Sequence, residues 1–145
     1  MKVVHRLSIT TPLPDKRLMP NNAPGTQAGI YAKRAKKNAL KKAAHACALV
    51  AAQDAGLSLR GEGGTIRIGH KPWKKVRVRW AWIGKTKNVF RIDYDNAIAA
   101  IKGALDGFTD AGVWEDDNGV DIGKPTFAVD KARPRLEFVI ERDEG

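Results

Sequence analysis

The segment Lys75–Ile83 has the sequence KVRVRWAWI, in which apolar and polar residues alternate over the first half. In an extended chain, successive side chains point to opposite faces of a sheet. One face therefore begins with Arg77 and Arg79. The other face is apolar and carries Val76, Val78, Trp80 and Trp82. This pattern predicts a strand with one buried face.

Two longer stretches repeat apolar residues at helical spacing. The first predicts a helix from about Ile30 to Ala55, with Gly56 as its stop. The second predicts a helix from about Asn96 to Asp110, with Asp95 or Asn96 as its cap. Its buried stripe consists of Ile98, Ile101, Leu105 and Phe108.

Several short runs between and around the helices are typical of strands, and Arg60–Gly64 is expected to be a loop. The predicted strands are Val3–Ile9, Thr65–Ile68, Val89–Ile92, Val120–Ile122, Thr126–Val129 and Arg135–Glu141. This order of elements predicts an α+β fold in which two main helices pack on a mixed, mostly antiparallel sheet. We expect a single domain covering residues 1–145.

The chain of 145 residues is long enough to bury a core without disulfides. Its one cysteine, Cys47, lies in the alanine-rich run Ala43–Ala52 and is expected to be a small buried hydrophobe. No run approaches the ~20 apolar residues that span a bilayer, and the first residues lack the apolar core of a signal peptide. We therefore expect a cytoplasmic protein without membrane contacts.

Charge is the first indication of function. The chain has 26 Lys and Arg against 16 Asp and Glu, a net charge of +10, which favours polyanionic partners. Basic residues concentrate in Lys33–Lys42 and Lys71–Arg79, and acidic residues in Asp93–Asp95 and Asp106–Asp121. The first basic group is either a solvated helix face or a DNA contact.

The second basic group supplies the predicted DNA contacts, which are made to phosphates rather than bases. These residues are Lys71, Lys74, Lys75, Arg77 and Arg79. Trp73, within the same segment, either stacks on a base or anchors the turn. His70 has no partner at a spacing that suggests a metal ligand or a catalytic base, and His5 and His45 are expected to be structural.

Three aspartates form a candidate metal site. Asp93 and Asp95 are two residues apart at the end of a predicted strand, so their side chains share a face, and Asp117 follows the second helix. Carboxylate oxygens suit Mg²⁺, or Mn²⁺ in its place, better than zinc. The same aspartates also suit helix caps and turns, so the spacing leaves both interpretations open.

The segment 93–120 as a whole resembles the signature region of the RusA family of Holliday-junction resolvases. The resemblance rests on Asp-Tyr-Asp-Asn at 93–96, Lys102, Ala-Leu-Asp at 104–106, Ala-Gly-Val-Trp at 111–114 and Asp-Asp at 116–117. This signature covers about a fifth of the chain. The order of basic helix, strands and signature extends the similarity over most of the rest.

The resemblance implies that Asp93, Asp95 and Asp117 bind the metal, that Asp116 supports them, and that Lys102 is catalytic. It also implies a homodimer that binds four-way DNA junctions and nicks two opposed strands through metal-activated water, with no small-molecule cofactor. One departure concerns Lys102, which lies seven residues after Asp95 instead of four. Seven residues correspond to about 10 Å of helical rise, against about 6 Å for four.

Two other functions are compatible with the sequence. A non-enzymatic DNA- or RNA-binding module would use the same basic residues, and its aspartates would serve only as caps and turns. A Mg²⁺-dependent phosphohydrolase acting on small nucleotides would use the carboxylates without binding branched DNA.

Overall fold

The computed structural model describes residues 4–15, 18 and 26–143. Its elements in chain order are β1 (Arg6–Thr11), α1 (Gln27–Asp54), β2 (Leu59–Glu62), β3 (Thr65–Ile68), β4 (Val76–Gly84), α2 (Tyr94–Ala100), α3 (Lys102–Asp110), β5 (Val120–Ile122), β6 (Thr126–Val129) and β7 (Arg135–Arg142). They form one α+β domain, which confirms the predicted fold class. None of the described helices is long and apolar enough to cross a membrane.

Strand β4, the alternating segment, lies at the centre of a mixed sheet. One of its edges pairs antiparallel with β7, which in turn pairs antiparallel with β1. Its other edge pairs in parallel with two short strands in succession, β5 at Val76–Val78 and β6 at Ala81–Gly84. The predicted mixture of parallel and antiparallel pairs is thus confirmed.

The helices cover one face of this sheet. The predicted apolar face of β4 is buried, and each of its four residues is at most 5% exposed. Phe138 of β7 stacks on Trp80 and meets Phe108 of α3 edge to face, with ring centroids 5.0 Å apart in the second pair. The opposite face, here called the outer sheet face, carries Arg6, Arg77, Arg79, Asp121 and Glu141, whose positions alternate with the buried ones.

Two glycines allow α3 to lie directly against α1. A Cβ on Gly103 would be 2.9 Å from the Lys37 carbonyl oxygen, and one on Gly107 would be 2.9 Å from the Ala44 Cβ. Real Cβ atoms do not approach so closely. The contact between the two helices therefore depends on glycine at both positions.

The predicted single helix from Asn96 to Asp110 is wrong in one respect, because the structure divides it into α2 and α3 at Ile101. This residue has φ −94° and ψ 2°, outside the helical region, and its side chain is fully buried. Asp93 caps α2, rather than Asp95 or Asn96. Lys102 is therefore the first residue of a new helix.

Two further expectations are corrected. Arg60–Gly64 is not a loop: β2 pairs with β3 as a hairpin whose turn is formed by Gly63 and Gly64, both with positive φ, as a tight two-residue turn requires. Val89–Ile92 is not a strand, because Lys87–Arg91 forms a 3-10 helix capped by the Thr86 hydroxyl. The first strand begins at Arg6 rather than Val3, and Val3 lies outside the described residues.

Candidate metal and nucleic-acid site

Asp93 and Asp95 lie together at the start of α2. Asp93 is the cap, and its Oδ1 accepts a hydrogen bond from the Asp95 backbone N–H at 3.3 Å. Both side chains are exposed. Negative charge is favourable at a helix N-terminus, so the pair has a structural role whether or not it binds a cation.

Tyr94, between these aspartates, holds the start of α2 against β6. Its ring stacks on Phe127 with centroids 6.4 Å apart, and the Lys124 ammonium lies 5.2 Å from the same ring. The two carboxylates are therefore at the β6 end of the sheet edge.

Asp117 belongs to a different cluster, which joins α3 to β5. The Trp114 indole N–H donates to the Thr109 hydroxyl oxygen at 2.6 Å, and that oxygen lies 3.2 Å from Asp117 Oδ1 and 3.1 Å from the Leu105 carbonyl. Because a hydroxyl has one proton, Thr109 donates to only one of these two acceptors at a time. Asp116 caps the 3-10 helix Asp117–Gly119 through the Asn118 backbone N–H.

The turn that carries Asp117 and the start of α2 are connected to different points along β4. Val120, just after Asp117, pairs with Val76 of β4, whereas Phe127, beside Tyr94, pairs with Trp82. Val76 and Trp82 are six residues apart on β4, which corresponds to about 20 Å of extended strand. Within residues 4–15, 18 and 26–143, no three His, Cys, Asp or Glu side chains are grouped so that they could hold a metal ion. Asp93 and Asp95 lie at the start of α2, and Asp117 does not form such a group with them among the described residues.

Asp117 instead shares a pocket with Lys102. The pocket lies between α1, α3 and β5, and its polar lining consists of Lys37, Lys102, Asp106 and Asp117. The side chain of Lys102 is exposed, and it has no ion pair with the described part of the chain. The helix break at Ile101 thus starts α3 with a lysine beside Asp117.

The connection between β3 and β4 brings further lysines to this region. Its Trp73 is buried, forms a bridge to Trp114, and accepts a hydrogen bond from Glu115 through its carbonyl. Trp73 therefore anchors the turn. There is no room for a Cβ on Gly119 beside the Lys74 carbonyl. Lys71, Lys74 and Lys75 are exposed on this connection, which contacts the turn that carries Asp117.

Arg77 and Arg79 have a different environment. Arg79 forms a 2.6 Å ion pair with Glu141, which also lies 3.7 Å from Arg6. Arg77 is opposite Glu141 on β7 and Asp121 on β5. Positive charge on the outer sheet face is therefore largely balanced by carboxylates.

A second basic surface includes part of the basic group Lys33–Lys42, which the sequence left as either a solvated helix face or a DNA contact. A groove between α1 and the α2–α3 junction is lined by Lys33, Arg34, Lys37, Lys41 and Lys102, with Asp106 as its acidic residue. We refer to it as the α1–α3 groove. In the sequence, the groove is indicated only by charged residues at intervals of four. These are Lys33, Lys37 and Lys41 in the first helix, and Lys102, Asp106 and Asp110 in the second helical region. Only the packing of the helices shows that these rows lie side by side.

The histidines make structural contacts. His70 Nε2 is 2.9 Å from the Gly112 carbonyl oxygen, and His45 Nε2 is 2.6 Å from that of Ile66. Burial lowers the pKa of His70 below its ordinary value. Burial also raises the pKa of the Cys47 thiol, which is partly buried in α1.

No protein-family model and no curated protein matches this sequence.

Proposed function

We propose that this protein is a Mg²⁺-dependent endonuclease that hydrolyses phosphodiester bonds in branched DNA, with four-way junctions as its substrate. The observation that carries the proposal is the pocket shared by Lys102 and Asp117, which opens beside the strongly basic α1–α3 groove. A lysine and a carboxylate that line one pocket, at a surface that attracts phosphates, suit phosphodiester hydrolysis. The resemblance of residues 93–120 to the RusA signature supports the same activity.

The carboxylates suit a hard cation by their chemistry. Mg²⁺ is commonly bound by one or two protein carboxylates together with water and phosphate oxygens. Asp93 and Asp95 would hold the ion as a pair, and Asp117, with Asp116 next to it, would act on the side of Lys102. When bound, the ion would lower the pKa of a coordinated water and neutralise phosphate charge. Mn²⁺ would serve in the same way.

The basic side chains have two roles in this proposal. The Lys102 ammonium stabilises negative charge that grows on the scissile phosphate. Lys71, Lys74 and Lys75 hold a duplex arm beside the turn that carries Asp117. Arg77 and Arg79 contribute less, because Glu141 and Asp121 lie next to them. Cutting two opposed strands requires two sites, so a homodimer is part of the proposal.

The test is cleavage of a synthetic four-way junction, compared with a linear duplex, in Mg²⁺ and in EDTA. We expect Mg²⁺-dependent nicking of the junction by the wild type. Asp95→Asn should slow it about 100-fold or more, since the interactions of a catalytic metal are worth several kcal/mol. Asp117→Asn removes the carboxylate that shares a pocket with Lys102 and should also slow it. Both variants should still bind the junction in EDTA.

Asp54→Asn is the matched control, because this exposed carboxylate lies at the distant end of α1. It should cleave at the wild-type rate. Junction binding by the wild type without cleavage in Mg²⁺ or Mn²⁺ would reject the nuclease in favour of a binding module. Hydrolysis of free nucleotides without affinity for junctions would favour the small-molecule phosphohydrolase.

A further inference from the structure

The packing of α1 on α3 places their charged residues in register. Gly103 lies against Lys37, and Gly107, one turn later, lies against Lys41 and Ala44, so the two helices run in the same direction. Each turn of α1 is therefore matched by one turn of α3. Charged residues at a spacing of four on each helix therefore face each other in successive pairs along this contact. We call each such pair, one residue from α1 and one from α3, a rung.

Two of the rungs pair opposite charges. The Lys37 ammonium is 3.8 Å from the Asp106 carboxylate, and the Lys41 ammonium is 3.2 Å from that of Asp110. One turn earlier, the corresponding residues are Lys33 on α1 and Lys102 on α3. Both side chains line the same groove and both are positive, whereas each of the other two rungs contains an acid.

The unmatched rung lies in the α1–α3 groove, and Arg34 lines the same groove. Within the described part of the chain, Lys33, Arg34 and Lys102 form no ion pair. Like charges at adjacent positions on a helix surface disfavour the folded state slightly. A bound anion would balance them.

We propose that the α1–α3 groove binds the phosphodiester backbone of a nucleic acid, with the unmatched rung as its main contact. The nucleic-acid strand would run along the basic side of α1. Lys102 lines both the α1–α3 groove and the pocket of Asp117, so the strand would continue from the groove into that pocket. That the bound anion is DNA rests on the proposed function. That the groove binds an anion rests on its charges and on the helix register.

The geometry favours a linear polyanion over other anionic partners. Lys33, Lys37 and Lys41 form a row about 12 Å long, which is longer than one small anion. Lys33 is the residue of this row that has no aspartate partner, since Lys37 and Lys41 pair with Asp106 and Asp110. The cations line a concave groove of 560 Å³. A strand can enter such a groove, whereas a membrane surface would meet only its rim.

The test is the salt dependence of binding to a four-way junction in EDTA, where no cleavage occurs. Each phosphate contact contributes about 0.9 to the slope of log K against log salt concentration for duplex DNA. Lys33→Gln combined with Lys102→Gln should reduce the slope by about 1.8 and the affinity by about tenfold or more. Lys85→Gln combined with Lys131→Gln removes the same charge from two exposed lysines outside the groove and should change both quantities far less.

A third double variant, Arg77→Gln with Arg79→Gln, represents the competing surface. A larger loss of affinity there than in the groove variant would overturn the proposal, and so would equal losses in all three pairs, which indicate a general effect of net charge.

Stronger binding to vesicles of phosphatidylserine than to the junction would assign the groove to a membrane instead. Because binding is read without metal, failure of the groove and failure of the nuclease assignment give different results. Circular dichroism of each variant checks that it is folded.

Discussion

The α1–α3 groove and the outer sheet face are both rich in basic residues, yet their electrostatic environments differ. On the outer face, Arg6 and Arg79 lie next to Glu141, and Arg77 is opposite Asp121. In the groove, two lysine–aspartate rungs are followed by a rung with no acid. The comparison shows that a count of basic residues is a poor guide to a phosphate site. The carboxylates within reach of each cation decide whether it is available to a ligand.

The largest expected effect concerns the helix contact that forms the groove. Gly107→Val should lower the free energy of unfolding by about 1–3 kcal/mol or more, because the new side chain would collide with the Lys41 backbone and with Ala44. Chemical denaturation measures this change. Gly61→Ala is the control, since a Cβ at Gly61 meets nothing within 4 Å. Equal stability of the Gly107 variant and wild type would show that the helices are not in this register.

The next prediction separates stability from binding. Lys102→Glu would place an acid opposite Lys33 but also a like charge near Asp106 and Asp117, so the free energy of unfolding should change by less than about 1 kcal/mol. Affinity for junction DNA should fall by more than tenfold, which corresponds to about 1.4 kcal/mol. Thermal unfolding and a binding titration on the same sample measure the two effects. A variant that binds as tightly as wild type would remove Lys102 from the site.

A smaller effect is expected on the outer sheet face. Glu141→Gln removes the carboxylate that pairs with Arg79 and lies near Arg6. Exposed ion pairs are worth about 0–1 kcal/mol, so the loss of stability should be no larger than this. DNA affinity should rise slightly, because two guanidinium groups are released. If affinity rises as much as it falls in the groove double variant, the outer face is the main DNA surface.

The smallest effect concerns the scaffold alone. Burial lowers the pKa of His70 below its ordinary value of 6.5, so the unfolded chain binds this proton more readily than the folded one. Stability should therefore decrease as the pH falls below 6.5, and His70→Gln should weaken that dependence. Urea denaturation over a pH series measures it. The same pH dependence in wild type and in His70→Gln would show that His70 does not cause it. Variants of the α1–α3 groove should show the pH dependence of the wild type.

The sequence predicts those parts of the fold that depend on local periodicity. The alternation in residues 75–83 identifies β4 and its buried face, and the helical stripe locates the second helical region. The break at Ile101 was not predictable, because Ile98, Ile101, Leu105 and Phe108 keep their spacing across it. The reason for glycine at positions 103 and 107 becomes clear only when α1 is known to lie against them.

The candidate site shows the same division between local and distant information. Asp93 and Asp95 lie at the start of α2. The strand end on which their shared face was predicted is absent, because a 3-10 helix precedes them. The position of Asp117 depends on β5 and β6 lying one after the other along β4, which no local pattern reveals. The rungs between α1 and α3 likewise depend on tertiary packing.

Protection of individual lysines by bound DNA tests most directly whether phosphates occupy the α1–α3 groove. The protein would be acetylated with and without a saturating four-way junction in EDTA, and each lysine read by mass spectrometry. We predict that Lys33, Lys37 and Lys102 lose reactivity in the complex while Lys85 and Lys131 keep theirs. Full reactivity of Lys33 and Lys102 in a saturated complex would contradict the account.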